Sequence, residues 1–403
     1  MAFASTANAG ITIPAGDWTV DIGGNVNAFY THYNTEATLA NGTKVEGADS
    51  NTIGTGLLPA QFGIGAKTRA NDLDVAFQFS FFTGTSAGGT TTGFGEKTYA
   101  GALQANQLNI RQAYLTFGDA SWGTIKLGRD LGIFASDAIS NDMTLLGVGL
   151  AAPGGSSTLG RIGSGYIYAD WKGQIAYTSP NWNGFSFTAG VTEPWSNGTT
   201  QDSTAVTKHE TQENMGFEAK AGYDFSANDV TGRVWLSALS KKHEFENAAG
   251  VGQTGGYTSR GVDVGARVAY QGFTLVGYYY DGRGLDSQNS AAFDLTGTGG
   301  LQFLGGQKTK DSGGYVQATF VVPTIGTKLG ASWGTNNSKA ENGTDFDIEN
   351  ESWIIGAYHP LTKNLNLVAE YANHEKTDNR GVANGNIQKV ENNSVSLGAI
   401  LFF

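Results

Sequence analysis

The sequence predicts an all-β fold: a closed transmembrane antiparallel β-barrel of about 16 strands, with short turns at one end and long polar loops at the other. Composition is the first reason. Of 403 residues, 59 are Gly, 7 Pro, 3 Met and none Cys, with 11% aromatic and only 15% charged, well below the roughly 25% charged usual in soluble domains. The second is that no uninterrupted apolar stretch of about 18 residues exists, which excludes a membrane-crossing helix and leaves closed strands as the other backbone that satisfies all its hydrogen bonds in lipid. The third is a recurring period-two alternation, which hides a lipid face in every second position and keeps mean hydropathy at -0.24. The lack of Cys fits an oxidising compartment with no disulfide.

Residues 1–9, MAFASTANA, end in the small-x-small pattern Ala7-Asn8-Ala9 of a secretory cleavage site. No charged n-region or full apolar h-region precedes it, so these residues read as the remnant of an export signal and 10–403 as one barrel domain. The strand at 17–31 sets the pattern, with Trp18, Val20, Ile22, Val26, Ala28 and Tyr30 on one face and Asp17, Thr19, Asp21, Asn25 and Asn27 on the other. Strands 58–69 and 73–82 make a hairpin around Asn71-Asp72 and send Phe62, Ile64, Phe77, Phe79 and Phe81 to lipid. The same alternation places strands at 107–118, 122–129, 165–179, 183–194, 215–226, 229–243 and 260–270. It continues at 273–281, 313–322, 327–337, 351–360, 364–376 and 393–403, an even total as single-chain bacterial barrels require.

The connections sort into two classes. Those at 119–121, 180–183, 227–228, 271–272, 323–326 and 360–363 are short and rich in turn formers, which suits a periplasmic end. Those at 33–57, 84–106, 130–164, 193–214, 243–259, 281–312, 337–349 and 376–392 are long and full of Gly, Ser, Thr, Asn and acid. Such loops count against a compact soluble domain but suit the extracellular side of a barrel. No motif repeats at a fixed period, which disfavours a propeller or solenoid.

Residues 393–403, NSVSLGAILFF, place Val395, Leu397, Ala399, Leu401 and Phe403 on one face. An ordinary sandwich strand could read the same way, but stopping on an aromatic residue resembles the closing strand of bacterial outer-membrane barrels, in which that residue belongs to the assembly signal. Phe403 would carry it here. The run RQAYLTFGDASWGTIKLGRD at 111–130 resembles the strand-turn-strand that precedes the inward-folded third loop of the trimeric general diffusion porins of Gram-negative bacteria. The run IAYTSPNWNGFSFTAGV at 175–191 resembles the hairpin after that loop.

This resemblance implies a homotrimer in the bacterial outer membrane, among lipid and lipopolysaccharide, with the loop at about 130–164 narrowing a water-filled channel. Small hydrophilic solutes and ions would pass by diffusion, without chemistry, cofactor or nucleic acid. Carried over by position, Arg111, Arg129 and Arg161 would line a basic wall of the constriction, opposed by Asp137 and Asp142 on the loop, in a transverse field that orients dipolar solutes. Lys126, with Lys67 and Arg69, faces inward by parity. For each Arg the plainer role is a strand-end surface charge, and for each Asp a turn or helix cap. The loop at 84–106 offers a latch onto a neighbouring subunit.

Asn25, Asn27 and Gln61 stand where the family often carries further basic residues. With a net charge of -11 and acids concentrated in the loops, a weak cation bias is expected. One alternative is a substrate-selective porin of the same fold, for a sugar or small organic acid. Some of Trp18, Tyr30, Trp171, Tyr177, Trp182, Trp235, Trp333, Trp353, Tyr358 and Tyr371 would then form a stacking slide in the lumen, whereas their strand-end positions favour girdles at the membrane interfaces. A further alternative is an outer-membrane enzyme or adhesin that uses the barrel as an anchor. The alternating acids Asp345, Asp347 and Glu349 could hold Ca²⁺ in an extracellular loop, although they lack EF-hand spacing and read equally as solvated charge.

Overall fold

The computed structural model describes residues 10–47, 49–84, 108–151, 157–193, 199–201, 207–210, 213–247, 253–285, 308–341, 347–379 and 387–403. Sixteen strands form the wall, numbered here in chain order. They are β1 Trp18–Leu39, β2 Ala60–Ala70, β3 Leu73–Thr83, β4 Asn109–Asp119, β5 Gly123–Leu131, β6 Trp171–Thr178, β7 Phe185–Thr192 and β8 Gly216–Ala227. There follow β9 Val230–Asn247, β10 Gln253–Tyr270, β11 Phe273–Arg283, β12 Thr309–Val321, β13 Lys328–Ala340, β14 Asp347–Pro360, β15 Leu365–Asp378 and β16 Ile387–Phe402. Each pairs antiparallel with its sequence neighbours, and β16 returns to β1 from Asn25↔Phe402 to Leu39↔Ile387, so the sheet closes without an edge.

The closing seam has a second component. Below Asn25, the short strand Ile11–Ala15 takes over from β16 beside β1, in register Ile11↔Ile22 through Ala15↔Trp18. At the junction, the Phe403 and Gly24 backbones exchange two hydrogen bonds, at 2.9 and 3.1 Å. Four other short strands, Lys44–Glu46, Ser50–Gly54, Thr199–Gln201 and Thr207–Glu210, extend the sheet toward the loops. The periplasmic turns are tight because their residues accept positive φ: Asn71 and Asp72 at 49° and 62°, Gln271 and Gly272 at 45° and 85°.

Alternation sorts the faces as expected. Val262, Val264, Leu275, Tyr279, Val316 and Leu329 are exposed on the outer surface, while the intervening Asp263, Tyr278, Tyr280, Tyr315 and Gln317 are buried inside. Trp18, Tyr30, Trp182, Trp333 and Trp353 are exposed outward, as girdle residues should be. Trp171, Trp235 and Tyr358 are not; they point inward and are buried. The expected strand at 165–179 is also corrected, since β6 begins only at Trp171 and residues 165–170 belong to chain folded inside the barrel.

Candidate pore constriction

The chain that leaves β5 at Leu131 and returns at Trp171 turns into the lumen and carries the short helix α1, Ser136–Ser140, and a 3-10 turn, Met143–Leu146. Its apolar side chains pack on inward residues of the wall. Phe134, Ile139, Met143, Val148, Leu159, Ile162 and Tyr166 share one buried cluster with Phe29, Trp235, Tyr278, Tyr315, Ile354, Tyr358 and Ile400. A porin lumen is otherwise polar, so this packing marks the part of the wall that the loop covers.

Buried polar groups of the wall fix the loop backbone. Glu218 on β8 accepts from the backbone N–H groups of Ile133 and Phe134 at 2.7 and 2.9 Å and pairs with Lys172 at 2.6 Å. Asp263 on β10 accepts from the N–H of Ala135 at 3.1 Å. Tyr315 donates to the Ala138 carbonyl at 2.8 Å, and Gln317 holds the N–H of Met143 and the carbonyl of Asn141. Across the barrel, Glu370 on β15 accepts from the N–H groups of Val148 and Gly149, both at 2.7 Å, and from Tyr358 at 2.6 Å. A Cβ at Gly147 would lie 2.2 Å from Glu370 Oε1, so only glycine lets the carboxylate come this close. Loop backbone that would be unsatisfied inside a membrane-embedded wall is thereby satisfied at each crossing.

The loop leaves one side of the lumen wet. Inward residues of β10 to β15 against the loop, such as Asp263, Tyr315, Ile354, Glu370 and Ala372, are buried. On β1 to β8, inward Asp21, Lys67, Asp74 and Asp224 are exposed, and Gln78, Tyr114, Thr116, Lys126, Thr188 and Lys220 are partly so. The cations there are mostly paired. Lys67 meets Asp21 at 3.1 Å, Arg69 meets Asp74 and Asp119 at 2.8 and 2.7 Å, and Lys126 meets Asp130 while lying 4.8 Å above the Tyr114 ring. Arg267 on β10 stands directly opposite Arg233 and has no ion pair among the described residues.

The residues expected at the constriction meet different fates. Asp137 does oppose a basic wall, but its partners are Lys220 at 2.9 Å and Arg233 at 3.0 Å, on β8 and β9. Burial pushes its carboxyl up, yet these two cations outweigh burial and hold it below the ordinary carboxylate range. The tether it makes is complete above the ordinary Asp value of about 3.9 and is lost only as pH falls through the lower folded value. The share of open-channel noise that this tether suppresses, read as the difference between Asp137→Asn and wild type in single-channel recordings at stepped pH, should therefore stay constant from neutral pH to about 3.9 and shrink below it.

Arg111 reaches the lumen through a β-bulge. The register steps from Ser80↔Gln112 to Phe81↔Ile110, so the extra residue Arg111 turns inward beside Gln112. Its guanidinium is buried, 4.7 Å above the Phe82 ring and 5.9 Å from that of Trp171. Arg161 is a correction, because it is 0% exposed. It donates to Ser332, to Ser352 Oγ at 3.0 Å and to the Ser164 carbonyl at 3.2 Å, while burial pushes it down to about 10, still cationic at neutral pH. Asp142 is another. It caps the 3-10 turn through the Thr144 N–H at 2.9 Å and accepts from the Tyr166 hydroxyl at 2.8 Å, so its carboxylate faces loop, not water.

Arg129 is a third correction. It pairs in register with Ala113, on the face of exposed Leu115, and so lies on the outer surface, 3.8 Å from Glu193. Of the proposed Ca²⁺ ligands, Asp345 lies outside the described residues and Asp347 is ion-paired with Lys339 at 2.6 Å. Glu349 follows on the outward face of β14, and no group of three metal-binding side chains forms among the described residues. Residues 1–9 and nearly all of the 84–106 loop also lie outside the described residues. Lys172, Glu218, Lys220, Arg233, Asp263, Gln317 and Glu370 do not stand out as site residues in the sequence. Their signal was available as polar residues at inward parity on otherwise apolar strands; their loop partners were not.

A closed barrel of this size with an inward loop and a wet, charge-lined side defines an outer-membrane channel. The chain belongs to the Gram-negative porins, whose family profile matches residues 1–379. It works as an outer-membrane pore for passive diffusion. Similar structures include the outer membrane channel DcaP of Acinetobacter baumannii, at TM-score 0.66 and 15% identity over 98% of this chain and 100% of that one. The anion-selective porin of Comamonas acidovorans follows at TM-score 0.57 and 16% identity, over 96% and 100% of the two chains. OmpF of Salmonella typhi, in complex with daunomycin, gives 0.55 and 17%, over 98% and 100%. These likenesses concern the fold. No curated protein matches the sequence.

Proposed function

We propose that the channel is a general diffusion pore with a weak preference for cations, and that it acts as a homotrimer. The observation that carries the selectivity is the pairing of the wet-side cations with carboxylates, from Lys67–Asp21 to Arg233–Asp137 and Arg233–Asp224. Pairing leaves the passage close to neutral locally, so the net charge of -11 sets the bias, attenuated beyond about 8 Å at physiological salt. The inward aromatics Trp235, Tyr315 and Tyr358 are buried against the loop, which supports a general pore over one with an aromatic sugar slide. Trimerisation rests on family likeness, and OmpT of Vibrio cholerae, a protein of similar fold, has a trimer form. Reversal potentials in a KCl gradient across a planar bilayer test the reading: a modest potential of cation sign supports it, and a clear anion preference refutes it. Current steps closing in threes support the trimer.

A further inference from the structure

A small cavity opens beside the buried guanidinium of Arg111, at the extracellular ends of β3 to β6. Phe82 and Trp171, the two rings against which Arg111 lies, line it. So do Leu57, which precedes β2, and Ile139 and Ile162 on the inward loop, all of them buried. Leu58, Leu131 and Thr158 are partly exposed, and through this rim the cavity meets solvent. Its volume is about 20 Å³. Since about 10–15 Å³ admits one water, the interior takes a single small group.

The cation in this cavity lacks a counter-charge. Arg111 is 7% exposed and makes no hydrogen bond or ion pair among the described residues. The carboxylates nearby are engaged elsewhere: Asp170 accepts from the Trp171 N–H at 2.7 Å, and Asp130 holds Gln112 and Lys126. The two rings attract the guanidinium but offer no acceptor to its five N–H donors. Ser157, buried in the same lining, adds a hydroxyl that has no partner among the described residues. Donors gathered in an apolar hollow without an acceptor are the pattern of an anion site.

The geometry points to a niche for a small apolar monocarboxylate, with the carboxylate inside on Arg111 and a short branched tail against Leu58 and Leu131 at the rim. One cation balances one negative charge, whereas a dianion would leave charge uncompensated against apolar walls. Carboxylate oxygens match the guanidinium fork two at a time. Folding has already stripped most water from the guanidinium, so an entering carboxylate meets a pre-organised partner in surroundings of low dielectric. The aliphatic lining separates this solute from acetate, which brings the charge without the tail. The niche adds a binding step to the lumen and does not rest on the ion preference of the passage.

The test uses the whole purified protein in detergent, with isovalerate as the probe, acetate as the charge without the tail and isovaleramide as the shape without the charge. Saturation-transfer NMR of the ligand methyl protons, with protein-free micelles subtracted, gives each affinity. Wild type should bind isovalerate about tenfold more tightly than either control, and Arg111→Gln should lose about that factor. Leu57→Ser keeps the cation and should weaken isovalerate while leaving acetate unchanged. Heat-modified mobility checks that each variant is an assembled barrel, and Leu57→Ser carries the test if Arg111→Gln does not assemble. Undiminished isovalerate binding in either variant, or equal wild-type binding of acetate or isovaleramide, would overturn the inference. Reversal potentials do not enter this measurement, so the niche and the cation preference stand or fall separately.

Discussion

Replacing Glu218 by Ala should leave the barrel assembled but make single-channel currents larger and noisier. Glu218, on β8, is the point at which the inward loop is fastened just after it leaves β5: it takes two loop N–H groups and the buried Lys172 ammonium. Its removal strands a buried cation and two buried donors, and breaking a buried pair in this way costs about 3–5 kcal/mol. The wall loses little, because β8 keeps its ladders to β7 and β9. The loop therefore yields first, since its entrance is held by side chains instead of strand pairing. Glu218→Gln should be milder, as an amide oxygen still accepts one loop N–H. Heat-modified mobility checks the barrel, and current-noise spectra check the loop; unchanged currents in Glu218→Ala would show that the loop entrance does not border the conducting path.

The second large effect is on selectivity. Asp137→Asn should shift the reversal potential toward anions, because one substitution removes a carboxylate that neutralises two cations at the wet edge of the loop. Lys220 and Arg233 both depend on this carboxylate, and among the described residues Arg233 then retains only Asp224 at 2.7 Å. Loss of two charge-assisted hydrogen bonds worth about 1.5–3 kcal/mol each also loosens α1. The two consequences separate experimentally: reversal potential reports the charge, and noise reports the loop. Arg267→Gln, at the adjacent cation that has no ion pair among the described residues, should move the reversal potential the other way. A shift of the same sign in both variants would mean that these side chains do not face the conducting path.

Much of the wall was legible because lipid imposes a strict period of two. Strands such as 73–82 and 273–281 were read to within two residues of β3 and β11. The extracellular ends were read short: 17–31 is in fact β1 extending to Leu39, and 260–270 is β10 beginning at Gln253. Beyond the apolar band both faces of a strand are wet, so alternation disappears while the hydrogen-bonded ladder continues. Residues 165–170 misled in the opposite direction, because Tyr166, Ile167 and Tyr168 alternate poorly but are apolar, and they are buried inside the lumen instead of facing lipid.

The site was legible in kind but not in partner. A loop carboxylate facing a basic wall followed from the resemblance, and Asp137 is so placed, but its cations lie on β8 and β9, far from Arg111 in sequence. Arg129 lies three residues beyond inward Lys126, so parity places it outward and the resemblance set it on the wall against that parity, whereas Arg161 could not be placed from parity. The bulge at Arg111 changes which residue of β4 faces in, and Arg161 belongs to a loop turn that strand parity does not govern. Asp142 shows the same limit, since a capping carboxylate and a lumen carboxylate look alike in a sequence.

The most direct measurement exploits the absence of Cys from the chain. Single cysteines are introduced at Thr188, on the wet side of the lumen, and at Ala372, on the side packed against the loop, and each channel is exposed to a bulky charged thiol reagent in a planar bilayer. The wet passage along β1 to β8 predicts a stepwise fall in conductance for Thr188→Cys and none for Ala372→Cys. Block through Ala372→Cys with no effect at Thr188→Cys would place the conducting path on the other side of the loop and contradict the account.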